Sequence, residues 1–207
     1  MNETVQQRGA TMGEKKEDRR VQRTRNMLYD ALFDLMIEKG YDAITIQDII
    51  DRANVGRSTF YSHFMDKEQL LLGNIEQLRE LLKEQCSTHS SLSTERVGGY
   101  RFGFSLAMLQ HVQSHKQIYR AVTSKQGGTL VLYHIKRMLM EITREEISAI
   151  LPNSDNSKVP QDVAIDFVVN TFWSILTWWM ENNMPYSAAE MDQMFHTLAF
   201  SGVSAIQ

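Results

Sequence analysis

Apolar side chains recur at intervals of three and four residues along most of the chain, which is the spacing of one helical face. The first such pattern ends at Lys39, and Gly40 suits the left-handed residue that often follows a last helical turn. A short helix is expected at 45–53, a second at 57–64, and a long one after Asp66. Further helices are predicted near 97–113, 116–124, 128–151, 161–182 and 187–205. No stretch alternates as a strand does, so the pattern predicts an all-α protein.

The two short helices carry the sequence features of a helix-turn-helix. Thr45 and Asp48 are spaced as a capping box, in which each side chain bonds the backbone N–H of the other residue. Asn54 tolerates the left-handed conformation that ends the first helix, and Gly56 is an acceptable cap for the second. Two short helices around such a turn form the unit whose second helix enters the major groove of DNA.

The residues of this unit closely resemble the signature of the TetR/AcrR family of transcriptional regulators. The resemblance is carried by TIQDII at 45–50 and by VGRSTFYSHFMDKE at 55–68. This sequence departs from the commonest pattern where Asn54 replaces a turn glycine and Gly56 replaces a serine, and neither change threatens the fold. The resemblance implies an N-terminal three-helix DNA-binding domain and a larger helical C-terminal domain for dimerisation and regulation.

The second short helix offers hydrogen-bonding side chains on an apolar frame. Phe60 and Phe64 are four residues apart, so they share a face and should pin this helix to the core. The resemblance implies that Thr45, Tyr61 and Lys67 contact phosphates, which suits a helix N-terminus, a hydroxyl and an ammonium. The residues predicted to contact double-stranded operator DNA are Thr45, Arg57, Ser58, Thr59, Tyr61, Ser62, His63, Lys67, Arg19 and Arg20.

Basic charge is concentrated ahead of the first helical pattern. The chain has 22 Lys and Arg against 25 Asp and Glu, and a net charge of -3 argues against a protein that coats nucleic acid everywhere. Between Lys15 and Arg25, in contrast, basic residues outnumber acidic ones, so this stretch suits phosphate contacts. We expect a flexible basic arm at 1–17, a helix-turn-helix domain at 18–66, and a helical ligand-sensing and dimerisation domain at 67–207.

The segment 161–182 is apolar over most of its circumference, so it must be covered from more than one side. In the TetR/AcrR family the last two helices of each subunit form a four-helix bundle with the partner subunit, and 187–205 carries a matching apolar stripe. The sequence therefore predicts a homodimer. The predicted interface residues are Phe167, Ile175, Trp179, Met194, Phe195 and Leu198.

The C-terminal half leaves two kinds of regulatory input open. Its aromatic and methionine side chains could line a cavity for a small apolar or aromatic ligand, or they could form a dense core. The candidate pocket residues are Phe104, Met108, Tyr119, Tyr133, Phe172 and Trp173. The stretch WWMENNMPYS at 178–187 resembles a C-terminal region common in Gram-positive family members, one of which is an activator with a protein co-regulator. A ligand-responsive repressor is therefore the leading prediction, and a DNA-bound activator controlled by a partner protein is the alternative.

The sequence contains no motif of a catalytic or cofactor site, so neither enzymatic activity nor a cofactor is expected. His111 and His115 have the spacing of metal ligands, but no carboxylate pair accompanies them, so we expect solvated or capping histidines and no metal. The single Cys86 cannot form an internal disulfide and is expected to be inert. No signal segment and no apolar run long enough for a membrane span is evident, which predicts a cytoplasmic protein.

Overall fold

A computed structural model gives the structure of the 207-residue chain. It describes the backbone of residues 3–92, 101–123, 128–150 and 159–201, and the side chains of 19–85, 101–123, 128–148 and 159–200. Within these ranges the elements are α1 Glu3–Lys39, α2 Ile46–Ala53, α3 Arg57–His63, α4 Lys67–Leu92, α5 Gly103–Ser114, α6 Lys116–Thr123, α7 Thr129–Ile150, α8 Gln161–Glu181 and α9 Ala188–Ser201. The described residues contain helices and no strand, and the predicted all-α class is confirmed.

The ends of the two short helices are fixed by their own cap residues. Thr45 Oγ1 accepts from the Asp48 N–H at 3.2 Å, and Asp48 Oδ2 accepts from the Thr45 N–H at 2.7 Å, so the predicted capping box is present. Asn54 ends α2 with φ 50°, and Gly40 follows α1 with φ 74°. Gly56 is the N-cap of α3, which ends one residue earlier than expected. These local signals fix where α2 begins and ends and where α3 begins.

The first helix begins earlier than the apolar pattern indicates. Its backbone is helical from Glu3, whereas the sequence predicted a separate arm at 1–17. This stretch is rich in Glu, Lys, Arg and Gln, which favour helix even where no apolar face is present. The side chains of 1–18 lie outside the described residues, so the flexibility of the arm and contacts by Lys15 and Lys16 stay predictions.

The chain divides into two compact units, Met1–Asn74 and Ile75–Gln207, and the division falls within α4. The core of the first unit contains completely buried side chains from all of its helices, namely Leu28, Leu32, Ile49, Phe60 and Leu70. The domain boundary predicted after residue 66 stays a prediction. Every predicted DNA contact lies within the first unit, and every predicted pocket or dimer residue lies within the second.

The core of the second unit is built around an aromatic cluster of Phe104, Phe172 and Phe195. The rings of Phe104 and Phe172 lie 5.2 Å apart, as do those of Phe172 and Phe195, and both pairs pack edge to face. All three side chains are 0% exposed. Since they come from α5, α8 and α9, the cluster joins the helices that enclose the interior of this unit.

A buried polar cluster ties the start of α5 to α9. Asp192 is 4% exposed and accepts hydrogen bonds from the Ser105 hydroxyl and the Arg101 guanidinium. His196 Nε2 accepts from the Phe102 N–H at 2.9 Å, and its Nδ1 donates to the Asp192 carbonyl at 2.7 Å. Burial lowers the pKa of His196. The imidazole is therefore held neutral between two backbone partners.

Helix α8 is long and apolar enough, by length and composition, to cross a membrane, and no other helix in the described ranges is. This corrects the expectation that no such run exists. That expectation was based on the polar residues that interrupt the apolar run. A hydroxyl within a helix can, however, donate to a backbone carbonyl of the same helix, and the Thr171 hydroxyl donates to the Phe167 carbonyl at 2.7 Å. In this fold α8 packs against α7 and α9, with Phe172, Leu176 and Trp179 buried as core.

Candidate nucleic-acid interface

Helix α3 separates its apolar and polar side chains onto two faces. Phe60 and the cap residue Phe64 are buried, and the Phe64 ring lies 5.7 Å from the ring of Tyr29 in α1. The opposite face exposes Arg57, Ser58, Tyr61 and Ser62, while Thr59 and His63 are half-buried. The anchored helix therefore presents a guanidinium and three hydroxyls, which can reach phosphates and base edges.

Arg57 is oriented by the neighbouring helix. Its Nη2 donates to Gln47 Oε1 at 2.9 Å, and Gln47 Nε2 in turn donates to Asp51 Oδ1 at 2.8 Å. A guanidinium has five N–H donors, and its partner here is a neutral amide, so Arg57 keeps its charge for a guanine or a phosphate. Sequence reasoning missed Gln47, although its spacing of four residues from Asp51 on α2 was a usable signal.

The start of α2 forms a network of its own. Asp48 Oδ2 accepts from the Thr45 hydroxyl at 2.6 Å and lies 2.7 Å from Lys39 Nζ. These bonds from Lys39 and Thr45 hold the pKa of Asp48 well below its usual range. The Thr45 hydroxyl therefore donates to the Asp48 carboxylate in this structure, and the predicted phosphate contact at Thr45, assigned to the N-terminus of α2, stays a prediction.

The other predicted phosphate contacts differ in their surroundings. Tyr61 is 49% exposed, with its ring edge-on to Phe60. Arg19 and Arg20 are exposed on α1. Lys67 is half-buried, and its ammonium donates to two backbone carbonyls of the loop between α1 and α2. Of these residues, Tyr61 and the two arginines have exposed side chains, and their contacts with DNA stay predictions.

The predicted pocket residues belong mainly to the core. Phe104, Met108 and Phe172 are completely buried, whereas a side chain that lines a ligand-sized cavity keeps part of its surface exposed. Tyr119 is also buried, and Tyr133 is 58% exposed on the surface of α7. For Phe104, Met108, Phe172 and Tyr119 the structure agrees with the dense-core alternative, because aromatic residues at helical spacing fill the interior by packing on one another, and a ligand pocket stays a prediction.

A cleft of about 270 Å³ lies elsewhere, between α6, α7 and α8. Its lining consists of Arg120, Thr123, Leu132, Trp173, Thr177, Met180 and Glu181. Of the predicted pocket residues it contains Trp173. The Arg120 guanidinium donates to Asn183 Oδ1 at 2.8 Å. Sequence reasoning missed the other lining residues because three helices bring them together and no motif marks them.

The predicted dimer residues divide between core and surface. Trp179 and Phe195 are completely buried within the subunit, which corrects their assignment to an interface. The error arose because α8 is apolar all round, so its sequence does not separate the inner face from the outer one. Phe167 is 54% exposed and Met194 is also exposed, while Ile175 and Leu198 are half-buried. The two helices also expose three apolar residues that were not predicted, namely Val163, Trp178 and Phe200.

His111 and His115 form a stacked pair at the end of α5, with ring centroids 4.3 Å apart. His115 Nδ1 bonds the His111 carbonyl at 3.0 Å, as a capping histidine does. Burial, with a smaller effect of His115, lowers the pKa of the half-buried His111 to about 4. The described residues contain no group of three or more side chains that could hold a metal ion. The side chain of Cys86 lies outside them.

Two family profiles match the chain in regions that agree with this architecture. Residues 28–73 match the family described as bacterial regulatory proteins, tetR family. Residues 102–201 match a family described as transcriptional regulator C-terminal region. Together the two matches cover more than half of the chain.

Curated relatives and solved structures agree with these profiles. An uncharacterized HTH-type transcriptional regulator of Bacillus subtilis, YxbF, is 51% identical over 59 residues, which are 28% of this chain and 16% of that protein. The HTH-type transcriptional repressor KstR2 of Mycolicibacterium smegmatis is 22% identical over 186 residues, covering 84% of this chain and 87% of that protein. A TetR transcriptional regulator from Streptococcus agalactiae shares the fold, with a TM-score of 0.62 and 24% identity over 90% of this chain and 98% of that one.

Proposed function

The chain belongs to the tetR family of bacterial regulatory proteins, and from that premise we propose that it is a cytoplasmic homodimeric repressor that binds operator DNA and responds to a small molecule. The family and the fold are those of DNA-binding transcriptional regulators rather than of enzymes. Similarity to the repressor KstR2 over most of the chain supports repression. The observation that carries the proposal is the exposed polar face of α3 on its buried phenylalanine anchor.

Selection of duplexes from a random library by the purified protein tests DNA reading directly. The selected duplex should bind at least about 10³-fold more tightly than a shuffled duplex of the same composition. The double variant Arg57→Ala/Ser58→Ala should lose this discrimination while its circular dichroism spectrum stays unchanged. Equal affinity of the wild-type protein for the selected and the shuffled duplex would contradict the proposal.

The apolar side chains exposed on α8 and α9 support dimerisation. Val163, Phe167 and Trp178 follow one another along α8 at intervals that keep them near one helical face, and Met194 and Phe200 add exposed apolar surface on α9. Contiguous apolar surface on a soluble protein marks an interaction site. A second copy of the same chain covers such a face symmetrically, as a two-fold dimer requires.

The dimer is tested by sedimentation of the variant Phe167→Glu, which places a charge on the proposed interface. We expect it to be monomeric at micromolar concentration, because an unpaired carboxylate at an apolar contact is strongly unfavourable. Tyr133→Glu is the matched control, since Tyr133 is an exposed aromatic residue outside α8 and α9. Loss of the dimer in both variants, or in neither, would contradict the assigned interface.

The cleft beside α6 supports a small-molecule input. It combines the apolar side chains of Leu132, Trp173 and Met180 with the Arg120 guanidinium, which donates to the neutral amide of Asn183 and not to the Glu181 carboxylate that also lines the cleft. A molecule with an apolar body and an anionic group matches this set. The charge of Arg120 is what selects the anion, and Trp173 is what covers the apolar body.

Anilinonaphthalene sulfonate, an anionic aromatic dye, serves as the probe of this cleft. Its fluorescence should rise on binding, and Arg120→Met should weaken its affinity about tenfold, the value of one charge-assisted hydrogen bond. Arg137→Met is the control, because Arg137 is exposed on α7 and does not line the cleft. Identical dye affinities for the two variants would contradict a ligand site at Arg120.

The alternative, a DNA-bound activator controlled by a partner protein, is favoured by one observation. Trp178 is 46% exposed and stacks on Tyr186, so a large aromatic surface faces outward, while Phe104, Tyr119 and Phe172 of the predicted pocket are core. The sedimentation experiment separates the two functions. If Phe167→Glu remains dimeric, the exposed face of α8 is available to a different protein.

A further inference from the structure

The Lys67 ammonium is surrounded by groups of its own chain. Its Nζ donates to the Tyr41 carbonyl at 2.9 Å and to the Ile44 carbonyl at 2.8 Å. The ring of Tyr41 lies with its centroid 4.4 Å from the same nitrogen, within the range of a cation–π contact. An ammonium has three N–H donors, so two are used by carbonyls and an aromatic ring covers a further side.

These carbonyls belong to the loop that delivers the chain to α2. The loop begins at Gly40, and Ile44 directly precedes Thr45, the N-cap of α2. Lys67 is the first residue of α4 and follows the recognition helix by a short turn. One side chain therefore joins the two ends of the segment that contains both α2 and α3.

The electrostatics agree with an internal role. Burial lowers the pKa of Lys67, and this loss of hydration outweighs the attraction of Asp42 and Asp48. A lysine that contacts a phosphate only in the DNA complex keeps its ammonium hydrated in the DNA-free protein. Here the ammonium has exchanged water for two carbonyl oxygens in the DNA-free protein.

We propose that Lys67 is a positioning residue for DNA recognition, which fixes the start of α2 and thereby the angle at which α3 is presented, rather than a phosphate ligand. The inference rests on the proposed operator binding and changes the role of one of its residues. Loss of Lys67 should loosen the loop before α2 and weaken operator binding, although α3 keeps its own side chains.

Two readouts on Lys67→Met test this role, since methionine keeps an unbranched stem and removes the ammonium. In the DNA-free protein, the amides of Ile44 to Ile49 should lose about tenfold of their hydrogen-exchange protection, as expected when bonds to a charged group are removed. Operator affinity should fall about tenfold, with the slope of log affinity against log salt nearly unchanged. Removal of one phosphate ligand from each subunit of a dimer would instead lower that slope by about 2.

Two further variants separate positioning from charge and from simple destabilisation. Lys67→Arg keeps the positive charge, but its planar fork does not reproduce a point donor between two carbonyls, so it should fail to restore affinity. Leu28→Val destabilises the same unit from α1 and should leave operator affinity unchanged at temperatures where it is folded.

The outcomes are distinct. Full affinity in Lys67→Arg, or a slope lowered by about 2 with unchanged amide protection in Lys67→Met, overturns the inference in favour of a phosphate contact. Wild-type protein that selects no duplex overturns the proposed function. In that case the exchange measurement on the DNA-free protein still decides whether Lys67 holds the start of α2.

Discussion

The two compact units use their polar residues in different ways. In the first unit, polar side chains near the surface end the helices and orient one another, as in the capping box of Thr45 and Asp48 and the pair of Arg57 and Gln47. In the second unit, the buried polar residues Asp192 and His196 cross-link α9 to the start of α5 inside the core. The first arrangement is encoded locally in the sequence, and the second depends on the tertiary fold.

The largest expected effects come from removing one aromatic core residue from each unit. Phe60→Ala and Phe172→Ala should each lower the free energy of unfolding by about 3–5 kcal/mol, since both side chains are completely buried. Hydrogen exchange should locate the first loss in Met1–Asn74 and the second in Ile75–Gln207. Equal loss of protection across both units in either variant would show that the two cores are not separate.

Lowering the pH should destabilise the second unit, which contains His111. Because the pKa of His111 is about 4 in the folded chain, below its ordinary value of 6.5, the unfolded chain binds the proton first as the pH falls. Stability should therefore be complete above pH 6.5 and decrease from there toward pH 4. We expect the free energy of unfolding to fall by about 1–3 kcal/mol over this window. His196, whose pKa is also lowered by burial, should contribute to this decrease.

Thermal unfolding at several pH values measures this effect. His111→Phe should flatten the dependence of the melting temperature on pH. A wild-type melting temperature that rises on acidification from neutral pH would contradict the lowered pKa of His111 in the folded chain.

The sequence could predict the first unit closely because its signals are short-range. The cap residues Thr45, Asn54 and Gly56 each act within a few residues, so the ends of α2 and α3 follow from local chemistry. The same reasoning could have found a second capping box at the start of α9. There the Ser187 N–H donates to Glu190 Oε2 at 2.8 Å, and Ser187 Oγ accepts from the Glu190 N–H at 3.2 Å.

The roles of residues in the second unit could not be assigned in this way. Trp179 and Phe167 lie on the same apolar helix, and only the packing of α7 and α9 against it decides that one is core and the other is surface. The cleft likewise depends on three helices that meet far apart in sequence, so Arg120 has no local signal. Lys67 shows the same limit within the first unit, because its partners Tyr41 and Ile44 are distant along the chain.

Removing one capping box from each unit should show which of them affects stability alone and which also affects operator binding. Thr45→Ala and Ser187→Ala should each lower the free energy of unfolding by about 1 kcal/mol, because each removes one side-chain cap. Thr45→Ala should also weaken operator binding, since it disturbs the start of α2, whereas Ser187→Ala should not. Equal operator affinities for the two variants, measured by fluorescence anisotropy, would remove the functional distinction between the boxes.

The smallest effect on folding is expected at the exposed arginines of α1. Arg19→Ala/Arg20→Ala should change stability by less than about 0.5 kcal/mol, because both side chains are exposed. If they bind phosphates, the slope of log affinity against log salt should fall by about 0.9 for each phosphate that is no longer neutralised. Parallel salt titrations for the variant and the wild-type protein would show that this part of α1 does not touch DNA.

The most direct test of operator reading measures binding to a panel of single-base variants of the selected operator. Arg57→Ala or Ser58→Ala should change the order of preference within the panel, because these residues are exposed on α3 and can reach base edges. Tyr61→Phe should weaken all members by a similar factor and keep their order, as expected when a hydroxyl that binds a phosphate is removed. An unchanged order in both Arg57→Ala and Ser58→Ala would contradict the central claim that the exposed face of α3 reads the operator.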